Sequence, residues 1–370
     1  MSIRDPKISF KQPAPFRRAL NKRIQEYFKT EGKSRRDVPQ MYLKTFMIML
    51  WLWSSYALLV FGPGGTLLTI AMVISLGMAT AGVGFSIMHD GNHKGYSQNR
   101  VVNALGAYTL DMLGASSYVW SHKHNKIHHS HTNIDGVDTD IDLGFLGRMT
   151  PEQPRMAMHR FQHIYLWFLY SFLSVKWVYF DDFKDVIRGR VGQVTMPRPK
   201  GKNLLVFLGG KALHVTIALV IPMMFHDWTL VLGLYMAILA VQGVVMATVF
   251  QLAHCVEGVS TANVEEQETY IDKEWAVWQI ETTADFAPNN WFVTWYVGGL
   301  NYQVVHHLYP SICHIHYPAL SKILAEVCEE HGVKYQIHPT FTAALFSHVR
   351  WLRRMGHPST VQTSQPQLAT

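Results

Sequence analysis

No charged residue stands between Lys44 and His89, and this stretch is long enough to cross a lipid bilayer twice. A helix needs about 20 apolar residues to cross a hydrocarbon core of about 30 Å. A glycine- and proline-rich turn signal at residues 62–65 interrupts the stretch. The pattern therefore predicts two membrane spans, near residues 41–61 and 66–88.

A second pair of apolar segments, near residues 204–226 and 229–252, brings the number of predicted spans to four. Charged residues form 16% of the chain, against about 25% in a typical soluble protein, which supports this reading. Lys211 falls near the start of the third span, so we expect its long side chain to snorkel towards the headgroups. The predicted fold class is an all-α integral membrane protein: four transmembrane helices with a cytoplasmic helical cap.

Lysine and arginine are distributed unevenly around these segments. The loops at 62–65 and 226–228 contain none, whereas the N-terminal residues, the 89–203 segment and the C-terminal third hold nearly all of them. The positive-inside rule therefore places both termini and the 89–203 segment in the cytoplasm. The formal net charge of +7 suits an anionic membrane surface better than nucleic acid, which we do not expect as a partner.

The sequence divides into three predicted regions: a basic N-terminal arm at 1–40, a membrane domain at 41–355 and a disordered, polar tail at 356–370. Within the membrane domain, segment 101–120 is apolar and segment 161–180 is rich in aromatic residues. We expect helices at the membrane interface here, because Trp and Tyr favour headgroup depth, with a fifth span as the alternative for either.

Histidines are concentrated in clusters just outside the spans. Residues four apart share one face of a helix, which aligns His89 with His93 and His124 with His128. Gly91 weakens the first of these helices without preventing it. The candidate metal ligands are His89, His93, His124, His128, His129, His254, His306 and His307, with Gln303 as a ninth candidate.

This number of imidazoles indicates a site for two metal ions. Two ions with coordination numbers near five need roughly eight or nine protein ligands in total. Neutral imidazole suits iron and leaves coordination positions open for oxygen. The sequence therefore predicts a histidine-rich di-iron site on the cytoplasmic cap.

Three of the clusters resemble the histidine boxes of the membrane fatty-acid desaturases. HDGNH, HNKIHH and QVVHH match the HX3H, HX3HH and QX2HH forms of that family. The glutamine resembles the front-end subgroup, which inserts a double bond between an existing one and the carboxyl end. GGLNYQVVHHLYPSICHIHYP, from Gly298 to Pro318, is similar to the delta-6 acyl-lipid desaturases of cyanobacteria and related bacteria. The resemblance covers roughly residues 40–355.

The resemblance implies two iron ions, molecular oxygen as co-substrate and a fatty acyl lipid or acyl thioester as substrate. It implies ligand roles for the box histidines and for His254, while Gln303 stands where other desaturases have histidine. The HPGG motif of fused cytochrome b5 domains does not occur in the sequence, so a separate ferredoxin or cytochrome b5 is the expected electron donor. A basic cytoplasmic face would attract such acidic proteins. The expected location is a bacterial inner membrane.

Other interpretations remain open at this point. A di-iron hydroxylase or ketolase would use the same scaffold, because its reaction diverges only after the first hydrogen abstraction. A histidine-rich metal transporter is a more distant alternative. Transporters carry their ligands near the middle of the bilayer, whereas these histidine clusters flank the spans. The acidic run that follows the second box is either a solvated loop or a set of hydrogen-bond partners for box histidines; it comprises Asp135, Asp138, Asp140 and Asp142.

Overall fold

The computed structural model describes residues 5–11, 13–264 and 268–358, and it confirms the all-α, four-span architecture. In this part of the chain four helices are long and apolar enough to cross a membrane: Pro39–Phe61, Thr66–Asn92, Lys202–Met223 and Trp228–His254. The largest difference from expectation is in the second span, which continues past residue 88 to Asn92. Segments 101–120 and 161–180 contain shorter helices, and neither forms a fifth span.

The remaining elements are shorter than the four spans. The further helices are Pro15–Glu31, Arg100–Met112, Ser117–Trp120, Ser121–His128, Gly144–Leu146, Ala157–Phe161, Gln162–Tyr170, Leu173–Lys176, Trp177–Asp181, Asp182–Arg188, Trp275–Glu281, Trp291–Tyr296, Gln303–Leu308, His314–His316, Tyr317–Glu330 and Phe341–Gly356. Three strand pairs are parallel: Lys7–Phe10 with Glu268–Ile271, Ile134–Asp135 with Ala262–Asn263, and Asp285–Phe286 with Ile337–His338. Arg190–Val191 pairs with Val194–Thr195 in an antiparallel hairpin.

The spans pack through small residues and keep large apolar side chains on their outer surface. At Gly77 of the second span, an added Cβ would lie 2.6 Å from the Cβ of Val241 on the fourth span. The absence of a side chain therefore lets the two helices approach closely, as in many membrane bundles. Leu67 is 85% exposed and Leu205 is 74% exposed, which is appropriate for surfaces that face lipid.

Two stretches of wider, π-helical turns carry or precede the first two histidine boxes. Val83–Met88 leads directly into His89, and Ser121–His128 contains most of the second box. In the second stretch the backbone N–H of His129 donates to the carbonyl of His124, five residues earlier, at 3.1 Å. This register turns His129 towards His124, whereas an α-helix would separate them. Such turns are rare and often occur at functional sites.

The predicted N-terminal arm includes an ordered helix. Pro15–Glu31 buries one face, formed by Phe16, Leu20, Ile24 and Phe28, against the Tyr317–Glu330 helix. At the other end of the chain, Gly356, the first residue of the predicted tail, belongs to the last helix. The rest of the predicted tail, from residue 359, lies outside the described residues.

The prediction that Lys211 snorkels is wrong. Its ammonium donates to the carboxylate of Asp182 at 2.7 Å and to the carbonyls of Gly114 and Val178 at 2.6 and 2.7 Å. Asp182 also accepts a hydrogen bond from the backbone N–H of Ser116, at 2.8 Å, where the helix of the second box begins. Lys211 therefore turns inward because its partners lie inside the bundle, as ionisable residues in spans generally do.

We expect Lys211→Met to lower the free energy of unfolding by about 3–5 kcal/mol, because it leaves the fully buried Asp182 carboxylate without its cation. Thermal and denaturant unfolding in detergent will measure the loss. The double variant Lys211→Met/Asp182→Asn, which removes both charges, should recover most of it. Wild-type stability of the single variant would contradict this assignment.

Candidate metal centre

Eight buried histidines converge where the second and fourth spans end. His89 lies in the last turn of the second span, which ends at Asn92, and His254 is the last residue of the fourth span. The others are His93, His124, His128, His129, His306 and His307. None of the eight is more than 8% exposed, and neighbouring rings have centroids 4.3 to 5.9 Å apart. The structure thus brings together all the histidines that the sequence predicted as ligands.

The cluster contains two groups of histidines. Within each group, the candidate ligand nitrogens all lie within 4.8 Å of one another. The first group is His89, His93, His124 and His306, and the second is His128, His254 and His307. Two nitrogens on opposite sides of an ion, each at about 2.1 Å, stand about 4.2 Å apart, so each group has the size of one metal site. His129 contacts both groups: its Nε2 is 3.1 Å from that of His124, and its ring stacks on His307 at 4.4 Å.

Several nitrogens that point into the cluster have no hydrogen-bond partner among the described residues. These are the Nε2 atoms of His89, His93, His306 and His307. Leaving one buried polar atom unpaired costs about 1–3 kcal/mol, so four in one place indicate a partner that binds all of them. A metal cation satisfies this requirement. A donor set of imidazole nitrogens suits iron and similar transition metals rather than calcium or magnesium.

The electrostatic environment keeps most of these imidazoles neutral. Burial lowers the pKa values of His93, His129, His306 and His307 well below the usual range, and it lowers that of His124 to about 4. Burial also opposes protonation of His128, but the nearby Asp138 and Asp140 carboxylates outweigh it and raise the pKa of His128. Neutral imidazole is the form that binds metal, so most of these histidines are already in the protonation state that ligation requires.

Comparison with known proteins identifies the family. The sequence profile described as fatty acid desaturase matches residues 64–339. The sn-1 linoleoyl-lipid 6-desaturase of Arthrospira platensis is 41% identical over 368 residues, 99% of each chain. A protein of the same name from Synechocystis sp. is 40% identical over 355 residues, 95% of this chain and 99% of that one. The chain belongs to the fatty acid desaturase family.

A further desaturase, the acyl-lipid (8-3)-desaturase of Physcomitrium patens, is 36% identical over 341 residues, which is 91% of this chain and 71% of that protein. The family makes this chain an oxidoreductase, and its four apolar helices make it a membrane desaturase.

The histidines of this desaturase are oriented by a shell of acceptors. The Nδ1 of His128 lies 3.0 Å from Asp138, and the Nδ1 of His307 lies 2.9 Å from the Oε1 of Gln279. Thr132 donates to the same Gln279 oxygen at 2.9 Å. A hydrogen bond at Nδ1 leaves Nε2 directed into the cluster. Of the two readings of the acidic run, the structure therefore supports hydrogen-bond partnership for Asp138.

Sequence reasoning missed Gln279 because it lies 24 residues before the third box, with no histidine beside it. The available signal was weak: a single amide among the mainly apolar residues WAVWQIE, which the structure shows to be a helix with Gln279 fully buried. Asp285 was missed for the same reason. Its carboxylate accepts from the backbone N–H of Val304 at 2.9 Å, and burial raises its pKa to about 7. Gln303 itself is buried in the first turn of the Gln303–Leu308 helix, one turn before His306 and His307.

We expect Gln279→Leu to weaken metal retention about 10–100-fold, because the His307 ring loses the acceptor that orients it. Leucine keeps the volume of the side chain, so the fold should persist. Metal content after graded chelation in detergent will measure the effect. Gln162→Leu is a control for loss of a buried amide, since Gln162 bonds the backbone of Arg148 and Leu352 and no histidine of the cluster. Equal metal loss in both variants would contradict the assignment.

Proposed function

We propose that this desaturase inserts a double bond into a fatty acyl lipid on the carboxyl side of an existing double bond, at or near the delta-6 position. The supporting observation is the pair of adjacent histidine groups in a chain whose relatives of nearly equal length are named linoleoyl-lipid 6-desaturases. The third box, with Gln303 at its head, is the sequence feature that favours the front-end subgroup.

The proposed cofactor is a pair of iron ions. His89, His93, His124 and His306 would hold one ion, and His128, His254 and His307 would hold the other. His129 lies where it could bind either ion, and Gln303 is proposed as a ninth ligand. When bound, the ions supply the activation of molecular oxygen that hydrogen removal from a methylene requires. The chain itself orients the ligands and, by burying the cluster, excludes water from it.

We propose a bacterial inner membrane as the location, with both termini and the metal centre in the cytoplasm. The distribution of lysine and arginine supports this orientation. Electrons would come from a separate ferredoxin or cytochrome b5. Exposed Arg18, Lys22 and Lys29 on the Pro15–Glu31 helix offer a basic surface for such an acidic donor.

Expression in a host that lacks polyunsaturated lipids, supplied with linoleate, tests the proposal. Gas chromatography with mass spectrometry should find a product with two hydrogens fewer and a new double bond on the carboxyl side of the existing ones. A product with an added oxygen would instead indicate a hydroxylase or ketolase. Iron analysis of the purified protein should give two ions per chain. Absence of new acyl products beside a fully loaded protein would contradict the proposal.

A further inference from the structure

A chain of three polar side chains connects the first span to the first histidine box. Lys44 is only 3% exposed, and its ammonium lies 2.8 Å from the Nε2 of His314. The Nδ1 of His314 lies 2.9 Å from the carboxylate of Asp90, which stands between His89 and His93. His314 therefore donates to Asp90 and accepts from Lys44. These three residues lie outside both groups of proposed iron ligands.

Lys44 also lines a cavity of about 390 Å³, and one hydrogen bond leaves further ammonium N–H groups to donate there. The walls include Asn289, Trp291, Trp295, Tyr302 and His314. The Lys44 ammonium lies 5.6 Å from the ring centre of Trp295. Of the wall residues, Tyr302 directly precedes the third box, and His314 is hydrogen-bonded to Asp90 of the first box.

The cavity lies at the boundary of the spans. The Trp291–Tyr296 helix packs against them through Tyr296, whose hydroxyl donates to the carbonyl of Met78 at 2.9 Å. On the same helix Trp291 is 78% exposed and Phe292 is 52% exposed. Exposed aromatic residues beside a membrane span favour the depth of the lipid headgroups, where the ester groups of lipids are found.

We propose that this cavity holds the ester end of a glycerolipid substrate, and that the Lys44 ammonium binds the acyl carbonyl oxygen and so determines which methylene reaches the metal centre. The inference rests on the proposed front-end activity. An enzyme that places a double bond by its distance from the carboxyl end needs an anchor for that end. That anchor must lie near the metal centre, because the double bond is only a few carbons away from the carbonyl.

Lys44 lies close to the first box. One imidazole ring and two hydrogen bonds, of 2.8 and 2.9 Å, separate its ammonium from the carboxylate of the first box. A cationic donor forms the stronger kind of hydrogen bond to an ester carbonyl, especially where the site is shielded from water. The exposed aromatic residues at the rim are consistent with a substrate that stays in the bilayer, which favours a glycerolipid over acyl-CoA.

The test is Lys44→Met in the full-length protein, loaded with iron and supplied with an electron donor. We expect the KM for a linoleoyl glycerolipid to rise about ten-fold, the effect of losing one charged hydrogen bond. We also expect double bonds at neighbouring positions, because the acyl chain can slide. Iron content should stay at the wild-type value, since His314 still bonds Asp90. Lys202→Met is the matched control: this lysine begins the third span, and its ammonium lies over Tyr108.

A second variant covers the case in which Lys44→Met does not fold. Asn289 is an exposed wall residue, and Asn289→Trp fills the cavity while Lys44 remains; it should raise KM and spread the double-bond positions in the same way. Linoleoyl-CoA and free linoleate, assayed in parallel, should be poorer substrates than the glycerolipid.

An unchanged KM and a single wild-type double-bond position in the folded variants would overturn the inference. Loss of iron in Lys44→Met with the position unchanged would also overturn it, because Lys44 would then act on the first box. A preference for linoleoyl-CoA would overturn the choice of glycerolipid. A wild-type protein that desaturates none of the three substrates would instead refute the proposed function, before any variant is compared.

Discussion

His128→Ala is expected to abolish desaturation and to remove at least one metal ion from the purified protein. His128 belongs to the smaller group, so its loss leaves only His254 and His307 there. It also leaves the fully buried Asp138 carboxylate without its imidazole partner at 3.0 Å. Removing a residue that only hydrogen-bonds a ligand already lowers metal affinity or activity about 10–100-fold. We therefore expect a larger loss when the ligand itself is removed. Metal analysis and product analysis by mass spectrometry measure both effects.

His122→Ala provides the matched control in the same helix. His122 is partly buried, and its Nδ1 lies 2.9 Å from the carbonyl of Tyr118, so it does not take part in either group. This variant should keep its metal and most of its activity. Should His128→Ala keep full metal content and activity, His128 would have to be removed from the proposed ligand set.

Gly91→Ala is expected to damage the metal centre although every histidine is retained. Gly91 lies inside the first box, where a Cβ would stand 2.6 Å from the backbone nitrogen of Ala107 and 2.8 Å from the backbone oxygen of Asn103. Backbone atoms cannot rotate away, so the second span and the Arg100–Met112 helix must separate. Overpacking of this kind costs about 1–3 kcal/mol or more. A lower unfolding temperature and a reduced metal content should appear together.

Gly84→Ala separates the clash from the change in helix propensity. Both glycines lie in the second span, and replacing either by alanine favours the helix by about 1 kcal/mol. At Gly84, however, the nearest neighbour of a new Cβ is the end of the Met246 side chain, at 3.7 Å. We therefore expect Gly84→Ala to be neutral or stabilising. Equal stability and metal content in the two variants would show that the close approach at Gly91 is unimportant.

The sequence by itself determined the features that depend on local order. A run of apolar residues is recognisable because the bilayer requires about 20 of them in succession, and the four spans followed from that requirement. The box spacings were informative because residues four apart share a helix face. The motif resemblance then predicted the family to which the comparisons assign the chain.

Only the tertiary structure decided how the distant parts of the chain combine. The division of the histidines into two groups, the place of His129 between them, and the contact of Gln279 with His307 all depend on helices that meet in space. No local pattern shows that Lys211 turns inward to Asp182, or that Lys44 reaches the first box through His314. The physical reason is that these side chains find their partners through packing, and packing places residues together without regard to their separation in the sequence.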